Sequence, residues 1–447
     1  MFGGGQDAVI LRDRRGRPIR AGGCIFLLQG NKLLLFDPAA VSFSRALRWQ
    51  TTLRLDVNRF QTHGTWWAQR VAAGLTAGGT RLTLACPGGL ACVDVRTGKL
   101  CWAKGTADAL LSRFNSAALD ASHLIILDNT GGLAALDPAT GRLLWRHRLA
   151  RSQMSWWMPP LIAGGVLVTA HGPSSRRQAS VYDLTAGGRL VGSVRMESKL
   201  GQVGLTRDGL LVVNDGGSIR MIEPMLGLDQ PIWTVHLARS GQAAFLDLTG
   251  THMVVSPGVN SRLVELRSLA HNGGIVRTFE LRAVGGQVVY PVSAELMGQR
   301  LYVVAGRRPG VGPRLSIPGQ VVAYIRNPCL QAFDVRTGRL LWVADLTLGA
   351  LGGLQPYVYV MPLEVCRSHV TVLVKAQSYM RDSKVFILDA VTGKVVQTVV
   401  VSRTGLVRGR RAAQQRYFRH MWLSSPAICD GRVVVETHKG IWVYGRE

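Results

Sequence analysis

The chain has 447 residues, of which 47 % are hydrophobic, so it can bury a large core. Lysine and arginine number 53 against 27 aspartate and glutamate residues, which gives a net charge of +26. No stretch approaches the run of about 18 apolar residues that a membrane-spanning helix needs, so such a helix is excluded.

Short apolar runs separated by turn residues divide the chain into successive units. The first unit covers residues 24–49, the second ends at Trp102 and the third ends at Trp145. The later units cover 160–194, 204–237, 244–281, 290–346, 358–401 and 425–444. Glycine is also frequent, at 52 residues, which is typical of a chain with many tight turns. The composition and the runs together favour an all-β protein.

One nine-residue pattern, Asp-x-x-Thr-Gly-(Lys/Arg)-x-x-Trp, recurs along the chain. Three copies are complete, and a fourth lacks only the tryptophan. The shared positions are Asp94, Gly98 and Trp102; Asp137, Gly141 and Trp145; Asp334, Gly338 and Trp342; and Asp389 with Gly393. Such repetition indicates a repeat architecture.

The pattern has a direct structural interpretation as a hairpin. An apolar run precedes each aspartate and predicts a strand, and the aspartate can accept backbone N–H groups in the turn. Glycine supplies the positive φ of a tight turn. The tryptophan then lies on the next strand, and we expect the three indoles to be mostly buried between neighbouring units. In the fifth and sixth units, Trp233 and Phe279 are expected at the same docking position.

The first motifs recur roughly 40 to 50 residues apart, which accommodates four short strands and their turns, as in a propeller blade. We therefore predict a closed β-propeller of four-stranded blades that spans residues 1–447 as a single domain. The last unit stops before its outer strand, and 8–11 could supply that strand. If the termini share the closing blade in this way, the propeller has eight blades, with nine as the alternative.

The motif resembles the tryptophan-docking motif of the quinoprotein-dehydrogenase-like (PQQ-like) β-propellers. The match is closest at 135–145 and 332–342, and the resemblance covers nearly the whole chain. In that family, the tryptophan of one blade docks against the motif of its neighbour. The family contains both quinone-dependent enzymes and non-catalytic scaffolds, including bacterial ones, so the resemblance implies a fold and leaves the activity open.

Two segments stand out from the repeats. Residues 306–328 form a predicted inserted loop in the seventh unit. Residues 402–421 form an arginine-rich connector between the eighth and last units. The candidate partner-binding residues in this connector are Arg403, Arg408, Arg410, Arg411, Arg416, Tyr417, Phe418 and Arg419. Arginine there could pair with an anionic partner, although solvated loops explain the charge equally well.

The sequence contains no motif whose residue types and spacing are typical of a catalytic or metal-binding site. The ten histidines form no metal-binding motif, and the seven cysteines include no Cys-x-x-Cys pair. We therefore predict no catalytic, cofactor-binding or metal-binding residues and no cofactor. The odd cysteine count favours a reducing compartment, so a cytoplasmic location is expected. The cell envelope is the alternative if an export signal precedes this sequence.

Three functions remain open. The first is a non-catalytic propeller scaffold that binds other protein subunits within a larger assembly. The second is a propeller that binds RNA, DNA or the ribosome through an arginine-rich surface. The third is a quinone-dependent dehydrogenase. In the family that this chain resembles, such enzymes carry a disulfide between two adjacent cysteines over the cofactor. This chain has no Cys-Cys pair, so the resemblance does not favour this function.

Overall fold

The structure is a computed structural model, and it describes most of the chain. The described residues are 2–3, 8–11, 18–29, 31–40, 43–53, 72–86, 88–105, 114–128, 130–148, 159–172, 177–196, 202–215, 217–237, 244–249, 251–258, 261–307, 316–317, 320–321, 323–348, 358–360, 363–376, 383–402, 426–429, 432–437 and 440–445.

These residues form nine four-stranded antiparallel blades of a β-propeller. The strands of blades 1 to 3 are Ala8–Ile10, Cys24–Gln29, Lys32–Phe36 and Leu47–Thr52; Ala72–Leu75, Arg81–Cys86, Gly89–Asp94 and Leu100–Lys104; and Phe114–Leu119, Leu124–Asp128, Gly132–Leu136 and Leu143–Arg148. Those of blades 4 to 6 are Leu161–Ala163, Val166–His171, Gln178–Asp183 and Arg189–Arg195; Gln202–Leu205, Leu211–Asn214, Ser218–Ile222 and Pro231–His236; and Ala244–Thr249, His252–Ser256, Leu263–Ser268 and Ile275–Glu280.

Blade 7 contains Tyr290–Met297, Arg300–Arg307, Ala323–Asp334 and Leu340–Asp345, and blade 8 contains Val358–Val360, His369–Ala376, Ser383–Asp389 and Val395–Ser402. Blade 9 contains Ala427–Cys429, Arg432–Thr437 and Gly440–Tyr444, completed by Phe2–Gly3. The smaller elements are the strands Arg20–Ala21, Ser316–Ile317, Gln320–Val321 and Glu364–Val365, the helix Phe43–Ala46 and the 3-10 turn Ala77–Gly79.

The core is divided among the contacts between blades. In the described part of the chain, nine clusters of buried apolar residues each join two consecutive blades. One of them joins the last blade to the first, where Ala427 and Val434 pack with Ile10, Ile25 and Phe36. Burial between blades is the main favourable term for folding, so closure of the ring buries apolar surface at the ends of the chain as well.

The termini share the closing blade, as expected, but not through the predicted segment. Phe2 and Gly3 pair with Ile441 and Gly440, whereas Ala8–Ile10 is the first strand of blade 1 and pairs with Cys24–Gln29. Because both terminal units are nearly complete on their own, they form two blades. The structure therefore has the alternative count of nine.

The third strand of blade 7 extends beyond its blade. The part of Ala323–Asp334 from Arg326 onwards pairs with Arg300–Arg307, whereas its first three residues pair with Val358–Val360, the first strand of blade 8. The segment predicted as an inserted loop at 306–328 therefore begins and ends in strands. Blades 7 and 8 consequently form one continuous sheet.

Candidate interaction surface on the outer rim

Each complete motif closes the turn between the third and fourth strands of its blade. The Asp94 carboxylate accepts hydrogen bonds from the Thr97 amide at 2.8 Å and from the Thr97 hydroxyl at 2.7 Å. These bonds favour the charged carboxylate and lower the pKa of Asp94. Asp334 and Asp389 accept the same pair of bonds from Thr337 and Thr392. The aspartate therefore fixes the turn before the outer strand begins.

The motif glycines adopt the left-handed conformation that the turn requires. Their φ angles are +71° at Gly98, +71° at Gly141, +76° at Gly338 and +71° at Gly393. A side chain at Gly141 would also collide with the neighbouring blade, since a methyl group there would lie 2.9 Å from Cδ2 of Trp102. The glycine thus permits both the turn and a close approach of the neighbouring indole.

Tryptophans on the outer strands lie against the turn glycine of the following blade. The pairs are Trp49 with Gly98, Trp102 with Gly141, Trp145 with Gly188, Trp233 with Gly273, and Trp342 with Gly393. Trp342 is buried, with 9 % of its surface exposed, and Trp102 and Trp145 are half-buried. Each tryptophan follows a bulge in the pairing of the third and fourth strands, which turns it towards the next blade.

Blade 6 departs from this pattern, and the expected position of Phe279 was wrong. The bulge in blade 6 places Arg277 at the docking position, and Phe279 lies in the core between blades 6 and 7. Arg277 Cδ would lie 3.2 Å from a methyl group at Gly338, and its guanidinium donates to the Arg336 carbonyl at 2.8 Å. An arginine therefore replaces the aromatic ring at this contact.

Three of the docking tryptophans donate a hydrogen bond to a backbone carbonyl in the turn of the following blade. Trp49 Nε1 donates to Val95 O at 2.8 Å, and Trp102 and Trp233 donate to the equivalent carbonyls at 3.2 and 3.1 Å. In blade 8, the equivalent Ala390 carbonyl accepts from Arg300 at 2.9 Å and Tyr302 at 3.3 Å. Trp342 Nε1 has no hydrogen-bond partner among the described atoms.

The outer strands also expose apolar side chains immediately after the turns. In blades 3 to 6, these side chains and those of two residues in the turn of blade 5, Met225 and Leu226, form what we call the apolar rim, which consists of Leu143, Leu144, Leu190, Met225, Leu226, Ile232, Ile275 and Val276. Leu190 and Ile275 are each 53 % exposed, and Leu226 is 82 % exposed. The rim therefore includes exposed side chains from four consecutive blades.

Arginines accompany the apolar rim on blades 3 and 4. Arg142, Arg146 and Arg148 lie on or beside the outer strand of blade 3, and Arg189 and Arg195 on that of blade 4. Arg189 lies 3.8 Å from Asp183. Within the described residues, no acidic side chain forms an ion pair with the other four. This part of the rim is therefore both apolar and positively charged.

Apart from Ser402, which ends the outer strand of blade 8, the predicted arginine-rich connector lies outside the described residues. This applies to Arg403, Arg408, Arg410, Arg411, Arg416, Tyr417, Phe418 and Arg419. In the part of the chain that the structure covers, no group of three metal-ligand side chains occurs. No helix among the described residues is long and apolar enough to cross a membrane.

Comparison with known proteins shows which family has similar repeats. A family model described as outer membrane protein assembly factor BamB matches residues 86–255, which include two complete docking motifs. Residues 86–255 therefore carry repeats of the PQQ-like β-propeller type. A search of the curated proteins found no match to this chain.

Solved structures share the propeller fold at low identity. BamB from Moraxella catarrhalis is 19 % identical, with 66 % of this chain and 78 % of that chain covered and a TM-score of 0.38. Dihydro-heme d1 dehydrogenase NirN is 12 % identical, with 88 % and 78 % covered and a TM-score of 0.48. A eukaryotic initiation factor is 9 % identical, with 90 % and 89 % covered and a TM-score of 0.50. These similarities concern the fold and not the activity of this chain.

Sequence reasoning missed the apolar rim, although the motif contains its signal. The two variable positions before the motif tryptophan are Leu143 and Leu144 in the second complete copy, and they are Val395 and Val396 in the equivalent place of the fourth copy. In a sequence, apolar residues within a strand are typical of a buried core. Exposure at these positions becomes visible only when the strand is known to be the outermost of its blade.

Proposed function

We propose that this PQQ-like propeller is a non-catalytic scaffold that binds other proteins within a larger assembly. The apolar rim is the observation that carries the proposal. Exposed apolar side chains scattered singly are normal, but contiguous patches mark interaction sites. Apart from the turn residues Met225 and Leu226, the rim residues occupy the first two positions of the outer strands in consecutive blades. A partner that lies along the rim would therefore bury several of these side chains at once.

The chemistry of the buried thiols supports a non-catalytic role. Burial raises the pKa of Cys86 to about 12 and the pKa of Cys92 and Cys329 to about 11. These thiols are protonated at neutral pH, and a protonated thiol is a poor nucleophile and a poor metal ligand. They therefore act as small hydrophobic residues in the core.

Chemical cross-linking in the native source, followed by purification of the full chain, tests the scaffold. We expect defined proteins to be cross-linked to the chain and to remain after nuclease treatment and a high-salt wash. Cross-linked peptides that map to blades 3 to 6 would support the rim as the contact. Recovery of nucleic acid without any cross-linked protein would refute the proposal.

A polyanion-binding function is the second candidate, and it is favoured by the net charge of +26 and the arginines of blades 3 and 4. We propose the connector residues Arg408, Arg410, Arg411, Arg416 and Arg419 as further contacts. Changing these five to glutamine should weaken recovery of an acidic partner. If the partner is nucleic acid, affinity should fall steeply with salt, whereas unchanged recovery would leave these arginines as solvated side chains.

The enzymatic alternative has its own test. Purified protein should neither oxidise alcohols or sugars nor gain thermal stability when a quinone cofactor and calcium are added. A ligand that binds only the folded state at a hundred times its dissociation constant stabilises it by about 2.7 kcal/mol. A melting shift of that size, together with substrate-dependent turnover, would overturn the non-catalytic assignment.

A further inference from the structure

The outer strand of blade 3 has an open edge. Leu143–Arg148 pairs with Gly132–Leu136 on one side, and no described strand pairs with its other side. An edge strand presents a row of unpaired N–H and C=O groups that can pair with another strand. The side chains on this strand decide which kind of strand it can accept.

The two faces of this strand differ. Trp145 and His147 are half-buried against blade 4, where His147 Nε2 lies 2.8 Å from the Gly188 carbonyl. Successive side chains on a regular strand point to opposite faces, so Arg146 and Arg148 share the other face, and both are exposed. Leu144 lies in the bulge before Trp145, and its side chain is exposed as well. The exposed side of this strand therefore offers one apolar side chain followed by two positive charges.

The two arginines are available for a partner. Among the described residues, Arg146 and Arg148 form no ion pair, whereas the outer strands of other blades contain ion pairs: Arg48 of the outer strand pairs with Asp37 in blade 1, and Glu280 of the outer strand pairs with Arg262 in blade 6. Like charges directly opposite each other destabilise paired strands. The arginines consequently oppose pairing with a basic strand and favour pairing with an acidic one.

The positive charge of the strand also limits which kind of molecule can bind beside it. A second copy of this chain would bring a like charge of +26 towards the edge. A nucleic acid could pair with the arginines, but it would leave Leu144 uncovered and the edge amides without a strand partner. An extended acidic protein segment satisfies the charge, the apolar contact and the backbone groups together.

We propose that an extended acidic segment of a partner protein binds blade 3 as a fifth strand beside Leu143–Arg148. Its carboxylates lie opposite Arg146 and Arg148, and an apolar side chain lies opposite Leu144. Main-chain hydrogen bonds give such complexes affinity, and the alternate side chains give specificity. This inference rests on the scaffold proposal and names the class of partner for one blade.

A labelled synthetic peptide provides the test. The probe is a fluorescein-tagged peptide of about ten residues with alternating valine and glutamate, and binding is followed by fluorescence anisotropy with the full chain. The double variant Arg146→Gln/Arg148→Gln should bind about tenfold more weakly, because each exposed charge pair contributes a few-fold to affinity. Val396→Ser on the uncharged outer strand of blade 8 is the matched control and should leave the affinity unchanged.

A second probe makes the result independent of any variant's folding. The same peptide with N-methyl groups on alternate residues keeps its charge but cannot donate along one edge, so it should not bind. Equal binding of both peptides, equal binding by the arginine variant, or no binding of the first peptide would each overturn the proposal. A short single-stranded DNA that binds and loses affinity equally in the arginine variant would also overturn it, since the arginines would then serve phosphate. Failure here would leave the cross-linking result for the scaffold unaffected.

Discussion

Two adjacent glycines in the turn of blade 4 allow the docking contact to be measured directly. Gly187 and Gly188 have φ angles of +66° and +79°. A methyl group at Gly187 would meet no atom within 4 Å, whereas one at Gly188 would collide with the indole of Trp145. Gly187→Ala therefore introduces backbone strain alone, and Gly188→Ala introduces the same strain together with a clash between blades 3 and 4.

The expected magnitudes differ enough to be separated. A left-handed conformation costs a residue with a side chain about 1 to 2 kcal/mol. Forcing an extra methyl group into a packed contact costs a further 1 to 3 kcal/mol or so. Gly188→Ala should therefore destabilise the contact by about 2 kcal/mol more than Gly187→Ala does.

Native-state hydrogen exchange is the suitable measurement, because it reports local opening free energies. The amides of Gln178–Asp183 should exchange about thirtyfold faster in Gly188→Ala than in Gly187→Ala, since each 1.4 kcal/mol corresponds to a factor of ten. Strands of blade 8 should be unaffected in both variants. Equal acceleration by the two substitutions would refute the idea that Trp145 docking stabilises this pair of blades.

Three further predictions concern single side chains. Trp49→Phe should cost about 1 kcal/mol more than Trp342→Phe in chemical denaturation, because only the first indole N–H donates to a carbonyl; equal losses would contradict this. Burial lowers the pKa of His171 to about 4 from 6.5, so its contribution to stability is present above pH 6.5 and is lost as pH falls towards 4. Between pH 7 and pH 4, the free energy of unfolding should therefore fall by roughly 2 kcal/mol more in the wild type than in His171→Gln. Parallel curves of unfolding free energy against pH for the two proteins would contradict this role of His171. Iodoacetamide at pH 8 should modify the exposed Cys101 and leave Cys86 unmodified in the native protein, as read by peptide mass spectrometry.

The turns and the blade boundaries could be predicted because they depend on local chemistry. Asp94 and Gly98 act within one hairpin, where hydrogen bonding and positive φ leave few alternatives. The closing strand could not be predicted in the same way. Both 2–3 and 8–11 precede the first complete hairpin, and a choice between them depends on pairing with residues at the far end of the chain.

The docking side chain of blade 6 is a second feature that could not be predicted from the sequence. A one-residue bulge decides whether Arg277 or Phe279 faces the next blade, and a one-residue shift reverses the face of every following side chain. The sequence favours the aromatic residue, because an aromatic ring buries more area. The structure buries that ring in the core and leaves the arginine to contact Gly338.

The pairing of Phe2–Gly3 with the final hairpin has a consequence for the order of folding. During synthesis from the N-terminus, the first strand of this pair is made long before its partner, so blade 9 cannot be completed until Gly440–Tyr444 has been made. Contacts between residues so distant in sequence form slowly, because a long loop must close first. The interior blades can therefore assemble while the ring is still open. Until the last strands pair, the two ends of the ring stay exposed, and exposed strand edges promote aggregation.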